Sequence, residues 1–283
     1  MVDAGDFGWK SPYIAASRLE QQQRKAQLQL AAFGLVGIDG LTPGDGDLAL
    51  GVPWLQHEAA ANGVPLLAAN LVCDGAEPFQ AARLVERGGL KIVVTGILGP
   101  EETLPTGCTA SPPIPALLAA ITGVGPADLV VLLSAQDAAL DGAVVAGVPD
   151  IDFVVNSGTG ASYAEPRSLP GAALHLASGT RGKKLGVATL TLVPGADGFE
   201  SDGATVELAH RLDRTRGRLE TAKSQVENAK DGSARARSEK RVALFEGEVT
   251  RLESELAVVV DQQGPPRNRV QHKLWGLGVE VAD

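Results

Sequence analysis

Four short apolar runs constrain the fold of this chain more than any other feature of its sequence. They lie at residues 91–98, 128–134, 152–156 and 185–193 and are rich in Val, Leu and Ile. Runs of this length, bounded by turn residues, are typical of strands that are buried on both faces. Such strands occur in sheets that are covered by helices on both sides. The sequence therefore predicts an α/β domain.

Residues nearer the N-terminus continue the same alternation. Residues 13–33 are rich in Gln, Ala, Leu and Arg, which favours a helix, and Gly34 would be its C-cap. Residues 35–42 and 65–71 predict two strands, and residues 48–62 predict a helix between them. Together with the four apolar runs, these elements assign residues 1–200 to one α/β domain.

From residue 205 onward, the pattern becomes that of two long helices. Apolar positions recur at alternating spacings of three and four, with a turn signal at residues 231–233. This pattern predicts an antiparallel coiled-coil hairpin over residues 205–262, followed by a short tail at 263–283. The simplest interpretation is a structural or oligomerising arm. A regulatory or partner-docking arm is the alternative.

Composition excludes some classes of function. The formal net charge is −9, which argues against a nucleic-acid partner. No apolar run approaches the ~20 residues that a membrane span needs, and the N-terminus lacks the basic and apolar regions of a signal peptide.

Cys73 and Cys108 lie far apart in the sequence, so they could be two buried thiols or one disulfide.

The first residues carry a motif. Residues 2–6 read Val-Asp-Ala-Gly-Asp, as expected where a buried strand ends and a carboxylate enters the following loop. Carboxylates at the carboxyl ends of strands in α/β sheets lie where ligands usually bind. The pentapeptide resembles the second metal-binding motif of the metallophosphoesterases, in their 5'-nucleotidase-like branch. In that family the second Asp bridges two metal ions, and Asp6 occupies its position. The alternative is a strand end with a solvated carboxylate.

Other segments resemble the same family in the same order. Residues 44–51 resemble its Gly-Asn-His-Glu motif, with Asp45 at the metal-binding Asn and Gly46 at the phosphate-contacting His. Residues 65–70 resemble its Pro-x-Leu-x-Ala-Asn strand. Residues 130–135 resemble the strand that ends Leu-Ser-His, with Ala135 at the His. Residues 148–160 resemble the strand that ends Gly-His-x-His, and there Gly158 and Gly160 replace both histidines.

The resemblance implies a metallophosphoesterase-type α/β sandwich, here with the coiled-coil hairpin appended. It also implies a divalent metal (Mn, Zn or Mg), a nucleotide or other phosphate ester as ligand, and a periplasmic or extracellular location. The family's first motif, Asp-x-His on a preceding strand, is absent from residues 1–283 and is expected upstream of them.

The substitutions bear directly on the chemistry. Two-metal cleavage of phosphoesters needs imidazoles and carboxylates to hold both ions, and glycine and alanine donate nothing to a metal. Only Asp6 and Asp45 remain as candidate metal ligands, with Asp47 and Asp137 as further oxygen donors for Mg²⁺ or Ca²⁺, and no catalytic residue is assigned. The four histidines present are interpreted as surface or core residues: His57, His175, His210 and His272.

Three functions follow as hypotheses. The chain could be a 5'-nucleotidase-like metallophosphatase homologue with a degenerate dimetal site and little or no hydrolysis. It could instead be an active phosphoesterase with a reduced, carboxylate-rich site. The third hypothesis is a binding or assembly protein that acts through the helical arm, by self-association or by docking a partner.

Overall fold

The structure is a computed structural model that describes most of the chain in two compact units. The first unit comprises Met1–Val187 together with the C-terminal segment from Lys273, and the second comprises Ala188–His272. The described residues are 1–8, 11–100, 102–158, 166–179, 183–196, 198–201, 203–229, 231–261 and 268–276.

The first unit contains strands and helices in alternation. Its strands are β1 (Val2–Asp3), β2 (Gly40–Leu41), β3 (Leu71–Cys73), β4 (Ala82–Arg87), β5 (Leu90–Leu98), β6 (Cys108–Ala110), β7 (Leu129–Ala135), β8 (Phe153–Asn156), β9 (Arg167–Ser168) and β10 (Leu174–Leu176). Its helices are α1 (Leu19–Val36), α2 (Asp45–Leu48), α3 (Val52–Ala61), α4 (Pro113–Val124) and α5 (Asp141–Gly147). The predicted α/β class is confirmed.

A six-stranded mixed sheet is the centre of this unit, in the order β4-β5-β7-β8-β10-β9. The inner four strands are parallel, and the edge strands β4 and β9 are antiparallel to their neighbours. The predicted strands at residues 91–98, 128–134 and 152–156 are confirmed as β5, β7 and β8. Leu132 and Leu133 are fully buried in two different clusters of the core. Adjacent buried residues point to opposite faces of a strand, so both faces of the sheet are covered, as the unbroken apolar runs indicate.

Two small sheets complete the unit. β1 pairs in parallel with β2, which places Val2 opposite Gly40. β3 and β6 are antiparallel, with Cys73 directly opposite Cys108. These two residues form a disulfide, which resolves the alternatives that the sequence left open.

Helix α1 differs from its predicted bounds at both ends. It begins at Leu19, after a short 3-10 turn at Ala16–Arg18, and continues past Gly34 to Val36. The helix ends at Gly37, whose φ of 68° is left-handed, so the prediction of Gly34 as C-cap is wrong. Gly34 lies inside the helix, where a Cβ would approach the Asn62 carbonyl oxygen to 2.3 Å. The glycine is needed for this close contact with the end of α3.

Other predicted elements are shorter than expected. The predicted helix at 48–62 is reduced to α3, because Leu48 belongs to α2 and Gly51, just before α3, has a φ of 91°. The predicted strand at 35–42 is reduced to β2, because residues 35 and 36 belong to α1. In the predicted strand at 65–71, Leu66 and Leu67 form isolated bridges, and β3 begins only at Leu71.

The second unit contains most of a three-stranded sheet and two long helices. The strands are β11 (Lys184–Thr191), β12 (Phe199–Ser201) and β13 (Asn268–Gly276), in the order β11-β13-β12. β11 matches the position of the run predicted at 185–193, but the prediction that this strand is buried on both faces is wrong, because β11 lies outside the six-stranded sheet and most of its residues are exposed. β13 lies within the residues that the sequence assigned to a tail. The helices are α6 (Gly203–Glu227) and α7 (Gly232–Asp261).

Helices α6 and α7 pack against each other. Leu219 and Ala222 of α6 and Leu252 of α7 are buried, and all three occupy positions that the apolar spacing places in the seam. The helices run in opposite directions, since Arg216 of α6 pairs with Glu253 of α7 and only residues 228–231 separate the two helices. No helix in the described parts of the chain combines the length and apolar character that crossing a membrane requires.

Candidate functional site

The loop after β1 meets the start of α2, and one carboxylate connects them. Asp47 Oδ2 accepts hydrogen bonds from the backbone N–H groups of Asp6 (2.8 Å) and Gly44 (3.0 Å). Asp47 Oδ1 accepts a third from the Gly8 N–H, at 2.7 Å. Asp47 is buried. Both of its oxygens are occupied by the backbone, so Asp47 holds the two loops together instead of facing a ligand.

Two glycines allow this approach. A Cβ on Gly44 would lie 2.2 Å from an Asp6 carboxylate oxygen, and a Cβ on Gly5 would lie 2.3 Å from the Thr42 carbonyl oxygen. Gly5 also has a φ of 96°, a conformation that favours glycine. The glycines of both predicted motifs therefore serve to bring Asp6 against the residues that precede Asp45.

Asp6 itself is held in an unfavourable environment for a carboxylate. Its residue surface is exposed, and its backbone is left-handed, with a φ of 60°. Burial, followed by the nearby charge of Asp45, raises the pKa of Asp6 to about 6, although a hydrogen bond with Ser157 lowers it. Two candidate ligands that are distant in the sequence thus lie close enough for their charges to interact.

The opposite wall of the site is formed by the loops after β7 and β8. The Ser157 hydroxyl donates to the Ala4 carbonyl at 2.7 Å, so it links the loop after β8 to the loop after β1. Gly158 lies against the next loop: a Cβ there would lie 1.9 Å from the Gln136 carbonyl oxygen. Ala135, at the end of β7, is buried. Gly160 lies outside the described residues.

A buried polar cluster lies at the same ends of the parallel strands. Asp141, at the start of α5, has no exposed surface. Its Oδ1 accepts from Ser134 Oγ (2.6 Å) and Gln136 Nε2 (2.7 Å). Its Oδ2 accepts from Asn156 Nδ2 at 2.7 Å, and His175 Nε2 lies 2.6 Å from the same oxygen. This cluster joins β7, β8 and β10 to α5.

Solved structures of similar fold identify the architecture. No family model matches the chain, and no curated protein matches it. Over 69% of this chain, the structure is similar to the sulfate thiohydrolase SoxB of Thermus thermophilus in complex with glycerol, with a TM-score of 0.58 and 24% identity. A Staphylococcus aureus protein described as a 5'-nucleotidase, in complex with alpha-ketoglutarate, matches over 68% with a TM-score of 0.54 and 19% identity. A 5'-nucleotidase precursor, also from Thermus thermophilus, matches over 68%, with a TM-score of 0.52 and 17% identity.

The chain has the fold of the 5'-nucleotidase-like metallophosphoesterases. The matched region spans 36% of the SoxB chain and 42% of each of the two 5'-nucleotidase chains. The resemblance that the sequence motifs indicate is therefore found again in the three-dimensional fold, over roughly the α/β part of the chain.

The described residues around Asp6 offer few donor atoms for metal ions. Among the described residues, no three His, Cys, Asp or Glu side chains are arranged to hold a metal ion. Asp6 and Asp45 lie near each other, but Asp47 is occupied by the backbone, and Asp137 Oδ1 accepts from the Ala139 N–H at 2.9 Å. Among the described residues, the imidazole at these strand ends is that of His175, and it lies against Asp141 at 2.6 Å.

The histidines that the structure describes lie where the sequence interpretation placed them, in the core or on the surface. His57 is exposed on α3, His272 is half-buried on β13, and His175 is buried on β10. The side chain of His210 is not among those described. The partner of His175 was not predicted from the sequence. The sequence does indicate that His175 has a partner, because a histidine within an apolar strand must find a hydrogen-bond partner when buried. Which residue is that partner, here Asp141, depends on the tertiary fold.

The burial of Asp47 predicts an unusual dependence of stability on pH. Burial raises the pKa of Asp47 to about 8, against the lowering effect of the Gly8 and Gly44 N–H groups. The folded state therefore keeps a proton that the unfolded chain loses near its ordinary pKa. Between pH 6 and 8, the Asp47 carboxyl is ionised in the unfolded chain but stays largely protonated in the folded protein. Ionisation therefore stabilises the unfolded state as the pH rises, and the free energy of unfolding of metal-free protein should fall by about 1–2 kcal/mol.

Urea denaturation at pH 6, 7 and 8 in the presence of EDTA measures this effect. Asp47→Asn is the control, because it removes the titrating group while keeping an oxygen acceptor, and its midpoint should depend less on pH. A wild-type midpoint that rises between pH 6 and 8, or an unchanged slope in Asp47→Asn, would contradict the expectation.

Proposed function

We propose that this chain is a 5'-nucleotidase-like metallophosphatase homologue whose dimetal site is degenerate and whose phosphoester hydrolysis is weak or absent. The observation that carries the proposal is the packing at Gly158. The motif resemblance places a ligand histidine at this position, yet a Cβ there would lie 1.9 Å from a backbone oxygen of the next loop. The backbone of the neighbouring loop occupies the space that a histidine side chain would need. The packing at this position therefore differs from the family's pattern, in addition to the missing ligand.

The chemistry supports the same conclusion. Two metal ions would clamp the phosphoryl group and lower the pKa of a bound water to generate the nucleophile. Ala135 and Gly158 offer no donor atom where the resemblance places imidazoles, and Gly46 offers none toward the phosphate. Asp6 and Asp45, the two proposed metal ligands, are all that remain of the set.

A second candidate function is an active, metal-dependent phosphoesterase with a reduced, carboxylate-rich site. The observation that favours it is the electrostatic contact between the two acids, since the charge of Asp45 is the second cause, after burial, of the raised pKa of Asp6. A hard divalent cation such as Mg²⁺ or Mn²⁺ would relieve this repulsion with oxygen ligands. Nucleotides or other phosphate esters would be its ligand class.

A third candidate assigns the function to the helices. Residues 205–262 would form an antiparallel coiled-coil arm that is a domain distinct from residues 1–200. The buried Leu219 and Leu252 and the opposite directions of α6 and α7 support this arrangement. Such an arm would act by self-association or by docking a partner protein.

We also propose a periplasmic or extracellular location. The Cys73–Cys108 disulfide supports it, because disulfides form and persist mainly in oxidising compartments. Alkylation of free thiols in protein recovered from its native compartment, with and without prior reduction, tests the proposal. Two thiols that react without reduction would contradict it.

The activity proposal is tested by hydrolysis of nucleoside monophosphates and of an aryl phosphate, with Mn²⁺, Zn²⁺ or Mg²⁺ added in turn. We expect turnover barely above background. The loss of a single acid–base or electrostatic donor typically costs about 10²–10⁴ in rate, and the loss of metal ligands should cost more, because the nucleophile itself depends on the ion.

Asp6→Asn is the matched control, since a contaminating phosphatase would be indifferent to that change. Metal-dependent hydrolysis that disappears in Asp6→Asn would overturn the first candidate and establish the second. Equal, low rates in both proteins, with no metal retained by elemental analysis, are the result expected of a degenerate site.

A further inference from the structure

A cavity of about 480 Å³ opens on the surface of the α6–α7 hairpin. Three arginines, a threonine, a glycine and an aromatic residue line it: Arg214, Gly217, Arg218 and Thr221 of α6, and Arg241 and Phe245 of α7. Residues 205–260 contain almost equal numbers of basic and acidic side chains, 11 and 10. None of the described residues that line the cavity is acidic, so packing of the helices has separated the charges.

The other flank of the hairpin carries an ion pair between the two helices. There Arg216 of α6 pairs with Glu253 of α7, with the two side-chain atoms 2.8 Å apart. Arg216 and Arg218 are two residues apart, which is about 200° of rotation around a helix, so they lie on opposite sides of the seam. One flank therefore carries a complementary pair between the helices, while the other places guanidinium groups from both helices around one cavity.

Two of the cavity arginines, Arg218 and Arg241, repel each other, and a bound anion would offset this repulsion. Among the described residues, neither Arg218 nor Arg241 takes part in an ion pair. Like charges on neighbouring positions of a helical surface repel each other, and Arg218 and Arg241 bring such charges together from facing helices.

A helix-interior glycine keeps the cavity open. Gly217 lies in the middle of α6, where glycine lowers helix stability relative to alanine. A Cβ at this position would meet no atom within 4 Å, so close packing does not explain the glycine. Thr221 Oγ1 donates to the Gly217 carbonyl at 2.9 Å, which fixes the hydroxyl beside the opening. Phe245 is half-buried and forms an apolar wall.

We propose that this cavity binds a small molecule that carries a multiply charged phosphate group. Guanidinium groups match the geometry of phosphate oxygens with paired hydrogen bonds, and three of them meet here from two helices. The volume lies within the range of small-molecule sites, and the Phe245 ring provides a surface for an apolar part of the ligand. The site is separate from the Asp6 and Asp45 cluster, and it stands whether or not that cluster supports hydrolysis.

Isothermal titration of the full chain with inorganic pyrophosphate, at low ionic strength, tests the proposal. We expect saturable binding with one site per chain, weakened about tenfold by each of Arg218→Gln and Arg241→Gln. Arg251→Gln is the matched control: it removes the same charge from an exposed position of α7, where Arg251 pairs with Glu255, and should leave the affinity unchanged.

The possible outcomes are distinct. Absence of pyrophosphate binding, or an equal loss of affinity in Arg251→Gln, would overturn the site. Citrate is the second probe, and binding of citrate as tight as that of pyrophosphate would overturn the assignment to phosphate.

Thermal unfolding of the hairpin without any anion gives an independent readout. Arg241→Gln should raise the unfolding temperature of the helical signal because it removes repulsion, whereas Arg251→Gln should not. A lower unfolding temperature in Arg241→Gln would show that this guanidinium is already stabilised by the protein, against the proposal.

Discussion

Replacement of Asp141 with alanine is expected to lower the free energy of unfolding by about 3–5 kcal/mol, the typical cost of removing one partner from a buried charged cluster. Asp141 has no exposed surface and accepts hydrogen bonds from Ser134, Gln136 and Asn156, with His175 at 2.6 Å. The alanine variant would leave these polar groups buried without their acceptor. Since a domain is typically stable by only about 5–15 kcal/mol, this single change should remove a large part of the total.

Denaturation by guanidinium chloride, followed by circular dichroism, measures the loss. Asp150→Ala is the matched control, since Asp150 is an exposed aspartate of the same region, and surface changes of this kind usually stay within about 0.5 kcal/mol. Equal midpoints for the two variants would show that the cluster around Asp141 contributes little. His175→Gln should lose less than Asp141→Ala, because it removes one member of the cluster and keeps its acceptor.

Gly158→Ala is expected to destabilise the protein by about 3 kcal/mol, at the upper end of the usual cost of overpacking. The added Cβ would lie 1.9 Å from the Gln136 carbonyl oxygen and 2.5 Å from its carbon. That carbonyl is also held by the Asn156 side chain, which donates to it at 3.0 Å. The loop cannot give way without loss of this bond, so the clash should be costly.

Gly123→Ala provides the comparison for the same substitution. Gly123 lies in α4 and has open space where its Cβ would be, so alanine there should stabilise the helix by about 0.5–1 kcal/mol. The two variants should thus shift the denaturation midpoint in opposite directions. If Gly158→Ala, or the larger Gly158→His, unfolded at the wild-type midpoint, the loop would have room for a ligand side chain and the argument for a degenerate site would fail.

Much of the α/β framework could be predicted from local sequence patterns. β5, β7 and β8 were expected because unbroken apolar runs of strand length are stable only where both faces are covered. The two helices of the second unit were expected from their apolar spacing, and Leu219 and Leu252 are buried accordingly. Patterns of this kind depend on neighbours within a few residues, so they can be read without knowledge of the fold.

Element boundaries were less predictable where distant contacts decide them. Gly34 has the sequence character of a helix end, yet α1 continues through it, and the contact with the Asn62 carbonyl explains why this helical position is a glycine. The predicted helix at 48–62 is interrupted at Gly51 by a left-handed backbone. Gly34 was predicted to be a helix end and Gly51 was placed inside a predicted helix, because the local sequence does not show the conformation that distant contacts impose on a glycine.

The order of motifs along the chain by itself predicted that Asp6 and the residues around Asp45 lie close together, as the contact of Gly44 with Asp6 shows, and that no histidine stands at the positions matched to the family's imidazoles. Only the tertiary structure decided what the remaining carboxylates do. Asp47 serves three backbone N–H groups, two of them about forty residues away, and Asp141 accepts hydrogen bonds from the ends of two strands while His175 of a third lies against it. A carboxylate accepts hydrogen bonds from whichever donors packing brings within about 3 Å. Long-range contacts determine which donors these are, and no local sequence pattern encodes those contacts.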